Sequence, residues 1–187
     1  DEIISDLEEE TGVSVFEIPT PPVSVPGLRL NEAFVRGLSS KGVRHFPQSR
    51  VVQVPQGEGE AVKVIIGQKP ARHTLLTKSI ILASGRFWGR GLYADRHRIR
   101  ETIFDLPVYQ PEGREKWHSN DLLDSGGHPV NRAGVETDQL FRPLDSSGKP
   151  LFPTLFAAGS ILAHDDWMRM KCGSGVSIAS AYGAVKA

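Results

Sequence analysis

Two short runs of small residues near the C-terminal end of the sequence could hold a ligand through backbone N–H groups. Residues 155–160 read Leu-Phe-Ala-Ala-Gly-Ser, an apolar run that stops at Gly159, as a buried strand does when a ligand must approach its backbone. Residues 172–176 read Cys-Gly-Ser-Gly-Val and open a segment of small, helix-compatible residues. A glycine-rich helix start leaves unpaired N–H groups at the positive end of the helix dipole. Together the two runs predict a cradle for an anionic or electron-rich ligand at the carboxyl edge of a sheet.

An earlier strand has the same ending. Residues 75–82 predict a buried strand, and Ala83-Ser84-Gly85 follows it directly. After a long interruption the chain returns to the sheet at Leu155. The repeated glycine ending predicts two strands of one α/β sheet whose carboxyl ends lie at the same edge.

The rest of the chain supplies the elements that position this edge. The first part of the chain predicts a helix over 1–11, an extended connector over 13–25, a turn at 26–27 and a helix over 31–39 that begins at Asn31. Two strands over 43–54 and 62–66, joined by a turn at 56–59, then precede the strand over 75–82. Residues 86–153 are rich in arginine, aromatic residues and turn formers, and they predict an inserted, loop-rich segment over the sheet. The fold class is therefore α/β, with an α+β mixture of elements.

Composition excludes several classes of protein. The 187 residues carry 22 Lys and Arg against 22 Asp and Glu, so we expect no nucleic-acid partner. A single cysteine rules out a disulfide framework and favours a reducing, cytoplasmic setting. No apolar run reaches the about 20 residues that a membrane-spanning helix needs. The sequence begins with Asp, so we expect a piece of a longer polypeptide.

An ordered set of motifs gives the chain a resemblance to one family. The strand that ends at residues 83–85 resembles the "Ala-Thr-Gly" strand of flavoproteins with two dinucleotide-binding domains, and residues 155–160 resemble their second flavin-contacting strand. Further stretches that match in order are Pro26-Gly27-Leu28-Arg29-Leu30, residues 91–101, residues 134–143 and residues 172–176. The whole set resembles the C-terminal half of the B subunit family of anaerobic glycerol-3-phosphate dehydrogenase.

The resemblance implies a fold and an activity. It implies part of a flavoprotein fold of the FAD/NAD(P)-binding type, in which a flavin, FMN or alternatively FAD, accepts electrons from sn-glycerol 3-phosphate to give dihydroxyacetone phosphate. A fragment could also lack the cofactor. Electrons would pass towards a quinone pool through partner subunits that carry catalytic, iron–sulfur and membrane-anchoring functions, at the cytoplasmic face of the inner membrane. The implied segments are a cap or substrate segment over 1–26, a flavin-domain helix, hairpin and strand over 27–85, an inserted cap or substrate segment over 86–153, and the flavin-domain terminal strand and helix over 154–187.

The sequence departs from the family's pattern beside both glycine endings. Arg86 and Arg90 stand where small residues usually follow the first strand, and Ala-His-Asp-Asp-Trp at 163–167 replaces the small residues that usually follow the second. The family also begins with a strand and a Gly-x-Gly-x-x-Gly phosphate loop, and this chain has neither. We therefore expect the phosphate-binding part of the fold in residues outside this chain.

Several residues of this sequence are candidates for individual roles at such a site. His164, beside Asp165, is expected to take the hydroxyl proton as hydride leaves the same carbon, although these residues also fit a solvated loop. Arg86, Arg90 and Arg100 are expected to hold the substrate phosphate, although most arginines are surface cations. No metal site is predicted. The expected cofactor-binding residues are Ala83, Ser84, Gly85, Ala158, Gly159, Ser160, Gly173, Ser174, Gly175 and Val176.

Two other interpretations stay open at this point. One is a different flavoprotein oxidoreductase, of the fumarate-reductase or ketosteroid-dehydrogenase kind, which an apolar pocket would favour over phosphate-binding arginines. The other is a non-catalytic module that keeps the flavoprotein scaffold and contacts partner subunits.

Overall fold

The computed structural model describes residues 2–16, 24–55, 61–68 and 71–187. These fall into two compact units, Asp1–Gln48 and Ser49–Ala187.

The described residues of the first unit form two helices. α1 spans Glu2–Thr11 and ends at Gly12, whose positive φ of 66° suits the turn that closes a helix. α2 spans Val25–Ser40 and begins before the expected start at Asn31, so the turn predicted at Pro26-Gly27 is wrong. The Oγ atom of Ser24 accepts a hydrogen bond of 3.2 Å from the Gly27 N–H, and a proline is well tolerated in the first turn of a helix.

The second unit begins with a three-stranded antiparallel sheet. Its strands are β1, Val51–Gln53; β2, Val62–Gln68; and β3, Ala71–Thr77, in the order β1-β2-β3. The turn predicted at 56–59 lies outside the described residues. The strand predicted over 43–54 is reduced to three residues, because the chain turns at residues 47–48.

The strand predicted over 75–82 is two strands. β3 ends at Thr77, whose hydroxyl donates to the Ser79 carbonyl at 2.8 Å, a local bond that competes with the sheet ladder. β4 then spans Ile80–Leu82 and pairs in parallel with β7, Leu155–Ala157. The expectation that the chain returns to the sheet at Leu155 is confirmed.

The inserted segment packs onto this parallel pair. It contains the antiparallel strands β5, Leu92–Ala94, and β6, Ile99–Glu101, with short 3₁₀ turns at Arg114–Lys116 and Pro129–Arg132. Its buried side chains join those of β4 and β7 in one apolar cluster, which includes Leu82, Leu92, Ile99, Trp117, Val135 and Leu155. The insertion is thus part of the core that supports the strand pair.

Three helical pieces complete the chain. A 3₁₀ turn spans Gly159–Ile161, α3 spans Trp167–Met170, and α4 spans Gly173–Lys186. Among the described residues, no helix combines the length and the apolar character that crossing a bilayer requires. Helices and a parallel strand pair in one chain agree with the expected α/β class.

Candidate flavin-binding site

The two predicted strand ends lie side by side. Gly85 and Gly159 follow the parallel strands β4 and β7, and both have positive φ, 68° and 76°. A Cβ atom placed on Gly85 would lie only 3.3 Å from the Oγ atom of Ser160. Both positions therefore favour glycine for backbone reasons, and at Gly85 the neighbouring strand end adds a steric one.

Helix α4 reaches the same edge. The Gly159 N–H donates to the Oγ atom of buried Ser180 at 2.8 Å, and that hydroxyl donates to the Val176 carbonyl at 2.5 Å. A Cβ atom on Gly159 would lie 3.6 Å from the Oγ atom of Ser177. The strand end is therefore fixed directly to the first two turns of α4.

The N-terminus of α4 has no side-chain cap. Its N-cap residue is Cys172, which makes no capping hydrogen bond, and Ser174 lies inside the helix. Ser174 therefore does not cap the helix. A Cβ atom on Gly175 would meet no heavy atom within 4 Å, whereas one on Gly173 would contact the Trp167 ring at 3.5 Å. The first turn thus has open space on the Gly175 side and the indole ring on the other.

The residues next to the two glycines differ in whether their polar groups already have a hydrogen-bond partner in the protein. The Oγ atom of Ser84 is buried and, within the described part of the chain, has no hydrogen-bond partner. The Ala158 N–H donates to the Leu82 carbonyl at 3.0 Å and extends the sheet, while Ala83 is exposed. Buried hydroxyls normally have a partner, so an orphaned one beside a glycine strand end fits a site for a hydrogen-bonding ligand.

Arg86 is engaged within the protein. Its guanidinium donates to the Leu162 and Asp165 carbonyls at 2.8 Å each and also to the Asn131 carbonyl. Burial lowers the pKa of this guanidinium, and the nearby carboxylates of Asp165 and Asp166 partly offset that effect. With three of its donors on backbone carbonyls, Arg86 joins loops together, and these donors are not available to a substrate phosphate.

Arg90 and Arg100 lie at opposite ends of the strand pair. Arg90 is exposed on the turn at 87–90, whose Gly89 Cα atom lies 3.8 Å from a Cβ atom placed on Gly85. Arg100, on β6, lines a cavity of about 1120 Å³ together with Ile80 and Leu155, the first residues of β4 and β7. Of the three predicted arginines, Arg90 is therefore the one that is exposed on a turn next to a glycine strand end.

His164 is paired with a residue that sequence reasoning missed. Its Nε2 atom lies 2.8 Å from Oε1 of Glu136, and its ring centroid lies 4.2 Å from that of Tyr109. Its φ of 71° is unusual for a residue with a side chain, and such conformations concentrate at functional sites.

Asp165 does not orient the imidazole. Its backbone carbonyl accepts from Arg86, and the carboxylate bonded to His164 belongs to Glu136, 28 residues away in sequence. No local sequence spacing predicts this pair, although Glu136 lies inside the stretch 134–143 that carries the family resemblance. Among the described residues, no group of three histidine, cysteine or acidic side chains could hold a metal ion.

Comparison with known proteins decides the family. The protein-family model described as "FAD binding domain" matches residues 3–176, which is most of the sequence. The chain belongs to the FAD-binding domain family.

The matched relatives agree with the resemblance seen in the motifs. The chain is 34% identical over 178 residues to the probable anaerobic glycerol-3-phosphate dehydrogenase B subunit of Halobacterium salinarum, covering 95% of this chain and 41% of that protein. It is 30% identical over 184 residues to the anaerobic glycerol-3-phosphate dehydrogenase B subunit of Vibrio cholerae serotype O1, covering 98% of this chain and 42% of the relative. The chain thus spans about two fifths of the length of these relatives. No solved structure matches the chain significantly.

The cradle fits the cofactor of an FAD-binding domain. Two glycine strand ends, an orphaned hydroxyl at Ser84 and an uncapped helix start at Gly173 and Ser174 offer close backbone approach and free donors. The expected flavin cofactor is supported, specifically as FAD, whereas FMN, the first expectation, is not. FAD therefore replaces FMN as the expected cofactor.

Proposed function

We propose that this chain is the C-terminal part of a flavin-dependent dehydrogenase that oxidises sn-glycerol 3-phosphate to dihydroxyacetone phosphate. The observation that carries the proposal is that the two glycine strand ends lie side by side, with Gly159 bonded to Ser180 of α4, a helix whose N-terminus has no side-chain cap. The similarity to the relatives named above supplies the substrate.

Different residues of the chain would bind the cofactor, accept the proton and bind the substrate phosphate. Gly85, Gly159 and Ser160 would let the cofactor lie against the backbone, and the N–H groups at the start of α4 would face its electron-rich part. Bound FAD would supply the acceptor for the hydride that leaves the substrate's secondary alcohol carbon. The hydroxyl proton would go to His164, and Arg90 would bind the phosphate.

Glu136 gives His164 the orientation that a base needs. A carboxylate that accepts from Nε2–H keeps the proton on that nitrogen and leaves Nδ1 as the basic one. The Tyr109 ring restricts the tilt of the imidazole from the side. The carboxylate partner of the proposed base is therefore Glu136 and not Asp165.

The proposal extends to partners and location. The relatives are named as one subunit of a dehydrogenase, which supports an assembly with further subunits that would pass electrons towards a quinone pool. We place that assembly at the cytoplasmic face of the inner membrane, held there by a partner subunit. The outer face of α4 supports such contacts, since Ile178, Tyr182 and Val185 are 67–73% exposed at helical spacing.

The first test measures flavin binding by visible absorption. The full-length protein, freed of bound flavin, is titrated with FAD and with FMN, and we expect a bound, yellow form with FAD at lower concentration than with FMN. Gly159→Val should abolish binding, because its φ is positive and because the added side chain would occupy the backbone edge that the cofactor approaches. Gly148→Val is the matched control: its φ is also positive, 81°, but a Cβ atom there would meet nothing within 4 Å.

Normal FAD binding by a folded Gly159→Val variant would remove the cradle from the proposal. The substrate is tested separately in the full-length complex, by reduction of an artificial electron acceptor with glycerol 3-phosphate and with glycerol. Equal rates with the two compounds would contradict a phosphate site and favour a different flavoprotein oxidoreductase.

A further inference from the structure

The second unit contains a cavity that the proposed flavin site does not use. Its volume is about 1120 Å³, and it is bounded by the first residues of the parallel strands, Ile80 and Leu155, whereas the cradle follows their last residues. Ligand sites for small organic molecules typically have volumes of about 300–1,000 Å³. The cavity is therefore large enough for a ligand of several rings.

Apolar and aromatic side chains form one part of the wall. Phe104 and Phe152 line it with their ring centroids 6.2 Å apart, next to Ile80 and Leu155. Rings in this tilted arrangement favour a further flat, apolar group against them. This part of the wall suits an aromatic body.

Two cations also line the cavity. Lys63 is exposed on β2, and the guanidinium of Arg100 has, among the described residues, only a 3.6 Å ion pair with Asp95 and a Tyr93 ring face at 5.7 Å. The Nε atom of Arg100 is buried and makes no hydrogen bond within the described part of the chain. A buried donor without an acceptor is costly, and an anionic ligand group beside it would satisfy it.

The lining also contains two acids. The Glu101 carboxylate is buried and accepts from the Ile103 and Phe104 N–H groups at 2.9 and 2.7 Å, so it is turned into its own loop. Asp105 is exposed to solvent, as Lys63 is. Cations and acids are thus equal in number among the described lining residues, and the preference for an anion rests on Arg100, whose guanidinium has an unfilled donor.

We infer that this cavity binds an amphipathic aromatic anion, with its rings against Phe104 and Phe152 and its anionic group on Arg100 and Lys63. The site is distinct from the flavin cradle and goes beyond the proposed function. It also gives Arg100 a task other than holding the phosphate of a substrate at the cradle.

The test uses two fluorescent probes that differ by one charged group. Anilinonaphthalene sulfonate is an aromatic anion, and phenylnaphthylamine is its neutral counterpart; both gain fluorescence in apolar sites. The purified chain is titrated with each. We expect tighter binding of the sulfonate, and we expect Arg100→Gln to weaken it about tenfold while leaving the neutral probe unchanged. Arg100→Lys keeps the charge and should retain sulfonate binding within about threefold.

Two controls locate the site. Arg90→Gln removes an exposed arginine that does not line the cavity, and Ile178→Gln removes an exposed apolar side chain of α4. Neither should change the affinity for either probe. The inference is overturned if neither probe binds, if Arg100→Gln weakens both probes equally or neither, or if Ile178→Gln abolishes the signal. Thermal unfolding of each variant shows whether it folds. Lys63→Gln, which removes the other lining cation and should also weaken the sulfonate alone, decides the matter if Arg100→Gln does not fold.

Discussion

Arg86 makes the sharpest prediction about this chain, because its expected role and its observed contacts differ. Arg86 is 7% exposed, and its guanidinium donates to the backbone carbonyls of Asn131, Leu162 and Asp165. Substitution by Gln or Met removes the cation and leaves those carbonyls without this donor. We therefore expect a loss of stability in the absence of any ligand.

The size of the loss follows from the contacts. The Leu162 carbonyl is buried, and leaving it unsatisfied costs about 1–3 kcal/mol; each of the two partly buried bonds contributes about 0.5–1.5 kcal/mol. Removing the buried cation offsets part of this loss, since its desolvation no longer opposes folding. The net expectation for Arg86→Met is a decrease of about 2–4 kcal/mol in the free energy of unfolding. Arg86→Lys keeps the charge but not the fork of donors, so it should fall between Arg86→Met and the unchanged protein.

The measurement is urea unfolding followed by far-ultraviolet circular dichroism. Arg90→Gln is the control, because this exposed side chain should change stability by no more than about 0.5 kcal/mol. If Arg86→Met unfolds at the same urea concentration as the unchanged protein, the three hydrogen bonds do not stabilise the fold. Arg86 would then return to consideration as a ligand residue.

Two further predictions concern carboxylates. Glu136→Gln should lower the population of the His164 tautomer that carries its proton on Nε2, because an amide oxygen is a weaker acceptor for Nε2–H than a carboxylate. The nitrogen chemical shifts of the imidazole measure this population, and an unchanged value would contradict the pairing. Burial raises the pKa of Asp138, but the hydrogen bonds and the charge of Arg142 outweigh this effect, so the net pKa is lowered in the folded protein. The ionised Asp138 therefore stabilises the fold fully above the usual pKa of about 3.9, and this stabilisation is lost as the pH falls through the lower folded pKa. Asp138→Asn should therefore flatten the dependence of unfolding free energy on pH below about pH 4, and an unaltered slope would refute this.

The parts of the fold that the sequence predicts are those with local signals. An apolar run with a glycine ending is a feature of a few adjacent residues, so the strands before Gly85 and Gly159 were recognisable without knowledge of their partner. Local signals also misled where two structures share them. Pro26-Gly27 is typical of a turn and of a helix start, and only the Ser24 hydroxyl bonded to the Gly27 N–H decides between them.

The parts that could not be predicted depend on contacts between distant residues. Glu136 meets His164 across 28 residues, and nothing in the type or spacing of either identifies the other. The arginines show the same limit. Arg86, Arg90 and Arg100 are alike in sequence, yet one is bonded to three carbonyls, one is exposed and one lines a cavity. Burial and partners separate them, and both are properties of the folded chain.

The two departures from the family pattern are one feature of the structure. Arg86 stands where a small residue usually follows the first glycine ending, and residues 163–167 replace the small residues that follow the second. In the folded chain Arg86 donates to the carbonyls of Leu162 and Asp165, the residues on either side of the Ala163-His164 pair. The positive φ of His164 needs support from its surroundings, and Arg86 supplies it from the neighbouring strand end. A small residue at 86 could not make these bonds, so the arginine and the loop that carries His164 require each other.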